Sequence, residues 1–402
     1  MNKPLKIIII GVKWPPETFL QRLIDGLTLS GVGVTIAASS RPKKWLNGNF
    51  RRWVWAPSWN VNIPKRMMNS FRLLQYLPRW TAAELKSITL QKKSFREKLR
   101  SIYLHLPFGR PQWDLVYFPW VLGAERYLDW FVSKNIPIVV SLRGSMINID
   151  PYIPGKSDQV RKTLQTVFQK VSSIHCVSQD ILDEAVRFGL DPAKACIIRP
   201  AVDPLFFIPS ENKTVNHRFT LITTGSLIWR KGYEYALMTI RSLVDQGVDA
   251  EYHIIGDGPE RQRILYTIQD LDLERRVILH GKLQPEAVRD QLQKADVFLL
   301  SSLSEGISNA VLEAMSCGLP VVTTDCGGIR EAVTNNVEGF VVPLRDPVVL
   351  ARSVKILAEN QDLRKKMGIA ARQRVLKEFS LENQIEDWKN LLSNYSLDSS
   401  EL

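Results

Sequence analysis

The residues whose types and spacing best suit chemistry lie in the run Ser304-Glu305-Gly306-Ile307-Ser308-Asn309-Ala310-Val311-Leu312-Glu313-Ala314-Met315. It directly follows the apolar stretch Val297 to Leu300, which reads as a strand. Ala310 to Met315 are helix formers, and Gly318 with Pro320 supplies the stop, so the spacing predicts a helix starting near Ser308 behind a glycine-containing loop. Backbone amides at such a start converge on an anion and suit phosphate. Glu305 lies just before those amides, whereas Glu313 is about five residues into the helix, roughly 7.5 Å along it. Two carboxylates so spaced can bracket a sugar diphosphate, Glu305 facing the sugar and Glu313 accepting hydrogen bonds from ribose hydroxyls.

Two carboxylates beside a diphosphate repel it, so cationic compensation is needed. Gly225-Ser226-Leu227-Ile228-Trp229-Arg230-Lys231-Gly232 offers it, because Arg230 and Lys231 could neutralise charge developing on a departing diphosphate. A solvated basic turn would read the same way from this loop alone. Gly256-Asp257-Gly258-Pro259 and Cys326-Gly327-Gly328-Ile329-Arg330-Glu331 are further glycine-rich turns, the latter expected to open another helix. Any α/β protein needs glycine in tight strand-to-helix turns. Four such turns at successive strand ends, with an acid pair and a base pair, form a more specific pattern.

The elements that must position these turns alternate along the chain. Ile7 to Ile10, Val32 to Ala37, Leu115 to Phe118, Ile136 to Leu142 and Ile174 to Val177 read as strands, with helical periodicity over Phe19 to Leu27 and Gln159 to Val171. A second series runs through Phe219 to Thr223, Tyr252 to Ile255, Val277 to Leu279, Val297 to Leu300 and Val321 to Thr324. This is the layout of two parallel, doubly wound sheets, and it fits a chain of 402 residues, too long for one ordinary domain. Prolines 200, 204 and 209 and the polar run Ser210 to His217 mark the break between them. The expected division is 1–208 as a first, acceptor-binding domain with a basic insert at 41–110, 209–375 as a nucleotide-sugar-binding domain, and 376–402 as a terminal helix crossing back to the first.

That insert holds 16 Lys and Arg against Glu84 and Glu97, a net of +14 in a chain whose total is +12. Trp45, Trp53, Trp55, Trp59, Phe71, Tyr76 and Trp80 are interleaved with the charges, which suits an anionic membrane surface. The stretch Lys65 to Tyr76 places Met67, Phe71 and Leu74 at helical spacing beside Arg66 and Arg72, so it reads as either a basic amphipathic helix or a plain core-facing one. Neither a zinc-finger nor an RRM-type signature occurs, which favours a membrane or acidic substrate over nucleic acid. No apolar run approaches the roughly 20 residues of a spanning helix, and no secretory signal is evident, so a cytoplasmic location is expected, peripheral on the inner face of the membrane. Cys176, Cys196, Cys317 and Cys326 show no metal-ligand spacing and read as reduced, buried thiols. The histidines form no ligand pair, His175 and His253 reading as hydrogen-bonded core residues, and Asp270-Leu271-Asp272 sits in a helix-to-strand connection. Metal is therefore not expected at the site, and the absence of a nucleophile elbow or P-loop argues against hydrolase and NTPase chemistry.

At the residues Ser304-Glu305-Gly306 through Glu313-Ala314-Met315-Ser-Cys-Gly-Leu-Pro320 the sequence resembles the retaining nucleotide-sugar glycosyltransferases of family 4, with their Glu-x7-Glu motif. The resemblance implies a GT-B fold of two facing Rossmann-like domains with an interdomain cleft. It also implies transfer of a sugar from a nucleotide-diphosphate donor to a glycan or lipid-linked acceptor, with retention, without metal or other cofactor, in cell-surface polysaccharide synthesis. It casts Lys231 as the lysine on the donor diphosphate, Glu313 as the ribose-binding acid and Glu305 as the acid near the transferred sugar. The backbone of Gly306, Ile307 and Ser308 would line the sugar and phosphates, with Gly225, Ser226, Gly256 and Gly258 shaping the remaining turns. Pro15-Pro16-Glu17-Thr18-Phe19 looks like the family's first loop, and Phe379 to Leu392 like its returning helix. Three departures stand out: Ser226 replaces the arginine of the usual Gly-Arg-Leu, leaving Arg230 as its substitute; Arg143-Gly144 replaces a frequent His-Gly, leaving Arg143 to contact phosphate or an acidic acceptor; Pro200-Ala201 replaces Asn-Gly. A sugar epimerase of the same fold and a non-catalytic paralogue that binds membrane or a partner enzyme are the other readings.

Overall fold

Seven strands and then six follow one another along the chain, and a computed structural model describes residues 4–40, 51–89, 94–211 and 218–395. Trp45 and the rest of 41–50, residues 90–93, most of the polar run before Arg218 and the last seven residues lie outside the described residues. The chain divides into two units, one running to Cys176 and including Leu182–Ile198 and everything from Ile385, the other holding Val177–Ile181 and Arg199–Gln384. The division thus falls between Ile198 and Arg199, earlier than the proline-marked break at 208, and the chain returns to the first unit at Ile385 rather than at 376.

In the first unit β1 (Lys6–Ile10), β2 (Gly33–Ala38), β3 (Arg51–Trp55), β4 (Leu115–Phe118), β5 (Ile138–Leu142), β6 (Ser173–Cys176) and β7 (Ala195–Ile197) form one sheet in the order β3-β2-β1-β4-β5-β6-β7. Every pairing is parallel. Parallel strands are covered on both faces, which is why β1, β4 and β5 read as near-continuous apolar runs rather than alternating ones. The second unit repeats the winding with β8 (Phe219–Thr224), β9 (Ala250–Ile255), β10 (Val277–Gly281), β11 (Val297–Leu300), β12 (Val321–Thr324) and β13 (Gly339–Val342), ordered β10-β9-β8-β11-β12-β13. Strand order therefore reverses between β1 and β4 in one sheet and between β8 and β11 in the other. Loops leaving the carboxyl ends of the strands at such a reversal are where doubly wound sheets hold ligands.

The basic insert is built into its unit rather than appended to it. Arg51-Arg-Trp-Val-Trp55, which charge hid as a strand, supplies edge strand β3. Helices Ile63–Leu73, Ala82–Thr89 and Phe95–His105 follow, with a 3-10 turn at Leu74–Arg79 where the amphipathic pattern suggested a helix continuing to Tyr76. Its aromatics serve packing as well: Trp80 is buried, stacks on Trp130 at 4.3 Å and donates its Nε1 proton to the Leu106 carbonyl at 3.0 Å.

The terminal helix Leu381–Ser393 buries Ile385, Trp388, Leu391 and Leu392. Trp388 meets Tyr117 at 4.9 Å and His175 at 4.8 Å. His175 is itself fixed, its Nε2 proton going to the Ile198 carbonyl at 2.8 Å and its Nδ1 facing Ser141 Oγ at 2.6 Å, while Ser141 also meets Tyr117 Oη at 2.8 Å. A carbonyl can only accept, so Nε2 carries the proton and Nδ1 accepts. Burial, followed by the charge of Arg143, drops this imidazole to about 3.

Candidate active site

The loop after β8 and the loop after β11 run side by side at the strand-order reversal of the second unit. Gly225 to Ile228 leads into a 3-10 turn over Trp229–Lys231, then Gly232 and the helix Tyr233–Asp245. Ser301 locks the two loops together, because its Oγ donates to the carbonyls of Gly232 at 2.8 Å and Lys231 at 3.1 Å, while the Leu303 amide donates to the Arg230 carbonyl at 2.7 Å. Gly232 has φ +60, and a Cβ there would lie 2.3 Å from the Ser301 carbonyl oxygen, so both backbone conformation and space require glycine.

The turn after β9 stacks on the first of these loops in the same way. Gly225 and Leu227 amides donate to the carbonyls of Ile255 and Asp257, and a Cβ on Gly256 would lie 1.8 Å from the Gly225 oxygen. A Cβ on Gly258 would lie 2.4 Å from the Leu227 carbonyl oxygen. On the far side, Gly327 and Gly328 pack against the carbonyls of Glu305 and Gly306, within a 3-10 turn over Gly327–Glu331 instead of the expected helix.

Within this frame Glu305, Lys231 and Arg230 form one cluster. Lys231 Nζ donates to Glu305 Oε1 at 2.5 Å, Ser302 Oγ donates to the same oxygen at 3.0 Å, and Arg230 Nη1 stands 3.6 Å from Oε2 while bonding the Ser304 carbonyl at 3.2 Å. Thr324 Oγ1 in turn holds the Ser302 carbonyl at 2.5 Å. Glu305 is buried, which raises its carboxyl, but the charges of Lys231 and Arg230 and the hydrogen bonds from Lys231 and Ser302 outweigh burial and hold it below its ordinary value. It is therefore an ionised carboxylate at neutral pH.

Gly306 and Ile307 lead to Ser308, the residue preceding helix Asn309–Ser316, and Ser308 makes no side-chain cap to that helix start. Ile307 and Ser308 are both buried. Val311, Leu312, Ala314 and Met315 bury one side of the helix, and the half-buried Asn309, Ala310 and Glu313 form the other. Asn309 also keeps a buried Oδ1 without a hydrogen-bond partner.

Asn309 and Ser302 are the residues that motif reading passed over; the doubled serine at the end of a buried strand was the available signal for Ser302. Ser226, where an arginine was expected, offers its carbonyl to the Tyr233 hydroxyl at 3.5 Å. Arg143 belongs to the first unit, at the carboxyl end of β5. Its guanidinium lies over the Phe19 ring at 4.2 Å and 6.0 Å from the Trp120 ring, and its buried Nε has no partner.

Comparison with known proteins agrees with this architecture. The profile described as Glycosyltransferase Family 4 matches residues 16–205, and that described as Glycosyl transferases group 1 matches residues 207–374. The chain is 33% identical to N-acetyl-alpha-D-glucosaminyl L-malate synthase of Bacillus anthracis over 83% of its own length and 84% of that protein. It is 32% identical to the amylovoran biosynthesis glycosyltransferase AmsK of Erwinia amylovora over 48% of its own length, and it spans about half (49%) of that relative. A structure of Anabaena HepE in complex with UDP-glucose shares the fold at a TM-score of 0.74 and 15% identity, covering 97% of this chain and 100% of the other. The two similarly wound parallel sheets are those of the GT-B fold, and the chain belongs to glycosyltransferase family 4.

Proposed function

We propose that the protein transfers a sugar from a nucleotide-diphosphate donor to a glycan or lipid-linked acceptor at the cytoplasmic face of a membrane, with retention at the anomeric carbon and without a metal ion. The observation that carries this reading is the Lys231–Glu305–Arg230 cluster, placed where two loops meet at the strand-order reversal beside a helix start with no side-chain cap. Lys231 and Arg230 lie on the leaving-group side. Their charges offset the negative charge that grows on the diphosphate as the glycosidic bond breaks. Glu305, already ionised, faces the positive charge that develops at the anomeric carbon. The amides of Gly306 to Ser308 receive the sugar and phosphates, Glu313 the ribose hydroxyls, and the orphan Oδ1 of Asn309 a hydroxyl donor of the sugar or ribose. Gly225, Ser226, Gly256 and Gly258 give the nucleotide side its close backbone approach. In the first unit, Arg143 with its unpartnered Nε selects an acceptor bearing phosphate or carboxylate. HepE, similar in fold, binds UDP-glucose, which supports a nucleotide-sugar donor here.

The test is incubation with a panel of nucleotide sugars and phosphorylated or carboxylated acceptors, following release of nucleoside diphosphate and reading the product's anomeric configuration by NMR. Product with the donor's configuration supports the reading. Inverted product overturns retention, and a sugar changed on the nucleotide without transfer favours the epimerase. Arg143→Gln should raise KM for an anionic acceptor and leave a neutral one unaffected.

A further inference from the structure

One cavity of the first unit, of about 430 Å³, has Lys6, Arg52, Arg79 and Arg110 in its lining, and none of the described residues that line it is acidic. No carboxylate pairs with the side chain of any of these cations among the described residues. The acids nearby in sequence are engaged elsewhere: Glu84 holds Lys134, Glu97 closes a capping box with Ser94, and Asp114 accepts the Lys6 backbone amide at 2.7 Å. Like charges held together without a counter-ion repel one another. An anionic ligand is therefore drawn in by its own attraction and by relief of that repulsion.

The sheet builds the site. Lys6 pairs with Gly33 across β1 and β2, and Thr35 with Arg52 across β2 and β3, so these positions share one face of the sheet. Arg51 lies on the other face, where it pairs with Asp25 of the helix Thr18–Leu29 at 2.9 Å. The 3-10 turn Leu74–Arg79 brings two more lining residues: Tyr76 donates its hydroxyl to the Trp55 carbonyl at 3.4 Å and carries the Arg79 guanidinium over its ring at 5.1 Å. The loop before β4 adds Arg110 and Trp113. A Cβ on Gly109 would lie 2.3 Å from Trp80 Nε1, which sets that loop closely against the buried indole. Arg110 has φ +54, a left-handed conformation that suits glycine better, so what the position gains from arginine is its guanidinium.

The distribution of these groups indicates the ligand's class. Thr35 and Tyr76 are buried, whereas Arg52, Arg79 and Arg110 are exposed, so hydroxyls lie at the floor and charge at the mouth. Lys6 and Arg52 stand two strands apart, about 10 Å across the sheet. A lone phosphate calls for cations that converge on one point; cations so separated suit carboxylates on different sugar rings. Thr35 and Gln112 offer hydrogen bonds to ring hydroxyls, and Trp113 offers aromatic surface to the apolar face of a ring. A cavity of this volume takes a few rings and not a length of nucleic-acid strand.

We infer that this cavity binds an acidic oligosaccharide, with its carboxylates on Lys6 and the three arginines and a ring against Trp113, as a holding site apart from the reaction. It lies toward the amino end of β1, about 13 Å of strand from the carboxyl end, whereas Arg143 follows the carboxyl end of β5. The saccharide held there is not the one positioned for transfer. This deepens the reading of a glycan acceptor and rests on it for its purpose, which is to keep an acidic chain on the enzyme between transfers; the binding itself needs no donor.

The test is isothermal titration calorimetry of the full chain, without nucleotide sugar, against tetragalacturonate and a hyaluronan tetrasaccharide, with maltotetraose, glycerol 3-phosphate and tetrathymidylate for comparison. At least one of the two uronate oligosaccharides is expected to bind more tightly than all three comparison ligands, and to weaken as salt rises. Arg52→Gln and Arg110→Gly should each weaken that binding roughly tenfold. Arg110→Gly should keep a melting temperature close to that of the wild type, because its backbone conformation suits glycine. No binding of either uronate, equal binding of maltotetraose, or tighter binding of glycerol 3-phosphate or tetrathymidylate would overturn the proposal. So would a loss of uronate binding in Arg143→Gln with none in Arg52→Gln, which would place the saccharide at the acceptor position. Uronate binding by a protein that releases no nucleoside diphosphate from any donor would sustain this site and count against the transfer reading; transfer without uronate binding would do the reverse.

Discussion

A carboxylate buried as deeply as Glu305 would ordinarily keep its proton, and at this site two cations and a serine prevent it. The acid and base pairs were legible in the sequence as separate motifs, yet their direct pairing was not, because a separation of 74 positions between Lys231 and Glu305 conceals that their loops are neighbours. In the proposed reading, removing Lys231 therefore acts twice, taking a cation from the diphosphate and leaving a buried charge with one fewer partner. Lys231→Ala is expected to cut donor turnover about 100-fold or more, and Glu313→Ala, which removes the proposed ribose acceptor, by a similar factor. Steady-state kinetics at saturating and limiting donor checks both; wild-type values in the two variants would contradict the site. His175 gives a pH prediction that does not depend on catalysis. Its folded imidazole titrates near 3, below the ordinary value of 6.5, so the unfolded chain takes up a proton across that window which the folded protein refuses. Stability should accordingly fall as pH drops below about 6.5, by up to about 1.4 kcal/mol per pH unit. Urea unfolding between neutral pH and pH ~5 should show this slope in the wild type and a shallower one in His175→Gln.

The loops that carry the site are held in register by backbone, and glycine makes that possible. A Cβ on Gly256 would sit 1.8 Å from the Gly225 oxygen and one on Gly232 2.3 Å from the Ser301 oxygen, so Gly256→Ala and Gly232→Ala must push loops apart. Each is expected to destabilise the protein by roughly 2 kcal/mol or more and to weaken donor binding together with stability. Thermal melts with and without donor measure both effects, and an unchanged melt would show that the loops can yield. Glycine placement was readable from sequence because a tight strand-to-helix turn leaves a compositional mark. Strands β1, β2, β4 to β6, β8, β9, β11 and β12 were readable for a similar reason, since burial on both faces demands apolar runs; β10, an edge strand, was readable from its short apolar run alone. The three strands missed all lie at the edges of their sheets: β3 reads as charge, β7 has only three residues, and β13 is as long as several strands that were read. The same blindness to context made the tryptophans of the insert look interfacial, although Trp80 belongs to the core.

At the scale of the molecule there are two similarly wound sheets, with the loops proposed to bind the donor in one unit and both Arg143 and the basic insert in the other. If, as proposed, Lys231 and Arg230 supply the cations for the leaving group, transfer should persist in EDTA; complete loss restored only by a divalent ion would contradict this. The central claim is that the second unit binds a nucleotide-diphosphate sugar through the loops after β8 and β11. Its most direct test is a thermal-shift titration of wild type and Glu313→Ala with UDP-, GDP- and ADP-sugars. A donor present at 100 times its Kd should stabilise the wild type by about 2.7 kcal/mol. The account predicts that one nucleotide class raises the wild-type melting temperature and that Glu313→Ala loses most of that rise, whereas a panel in which no donor moves the wild type, or one moves both proteins equally, would contradict it.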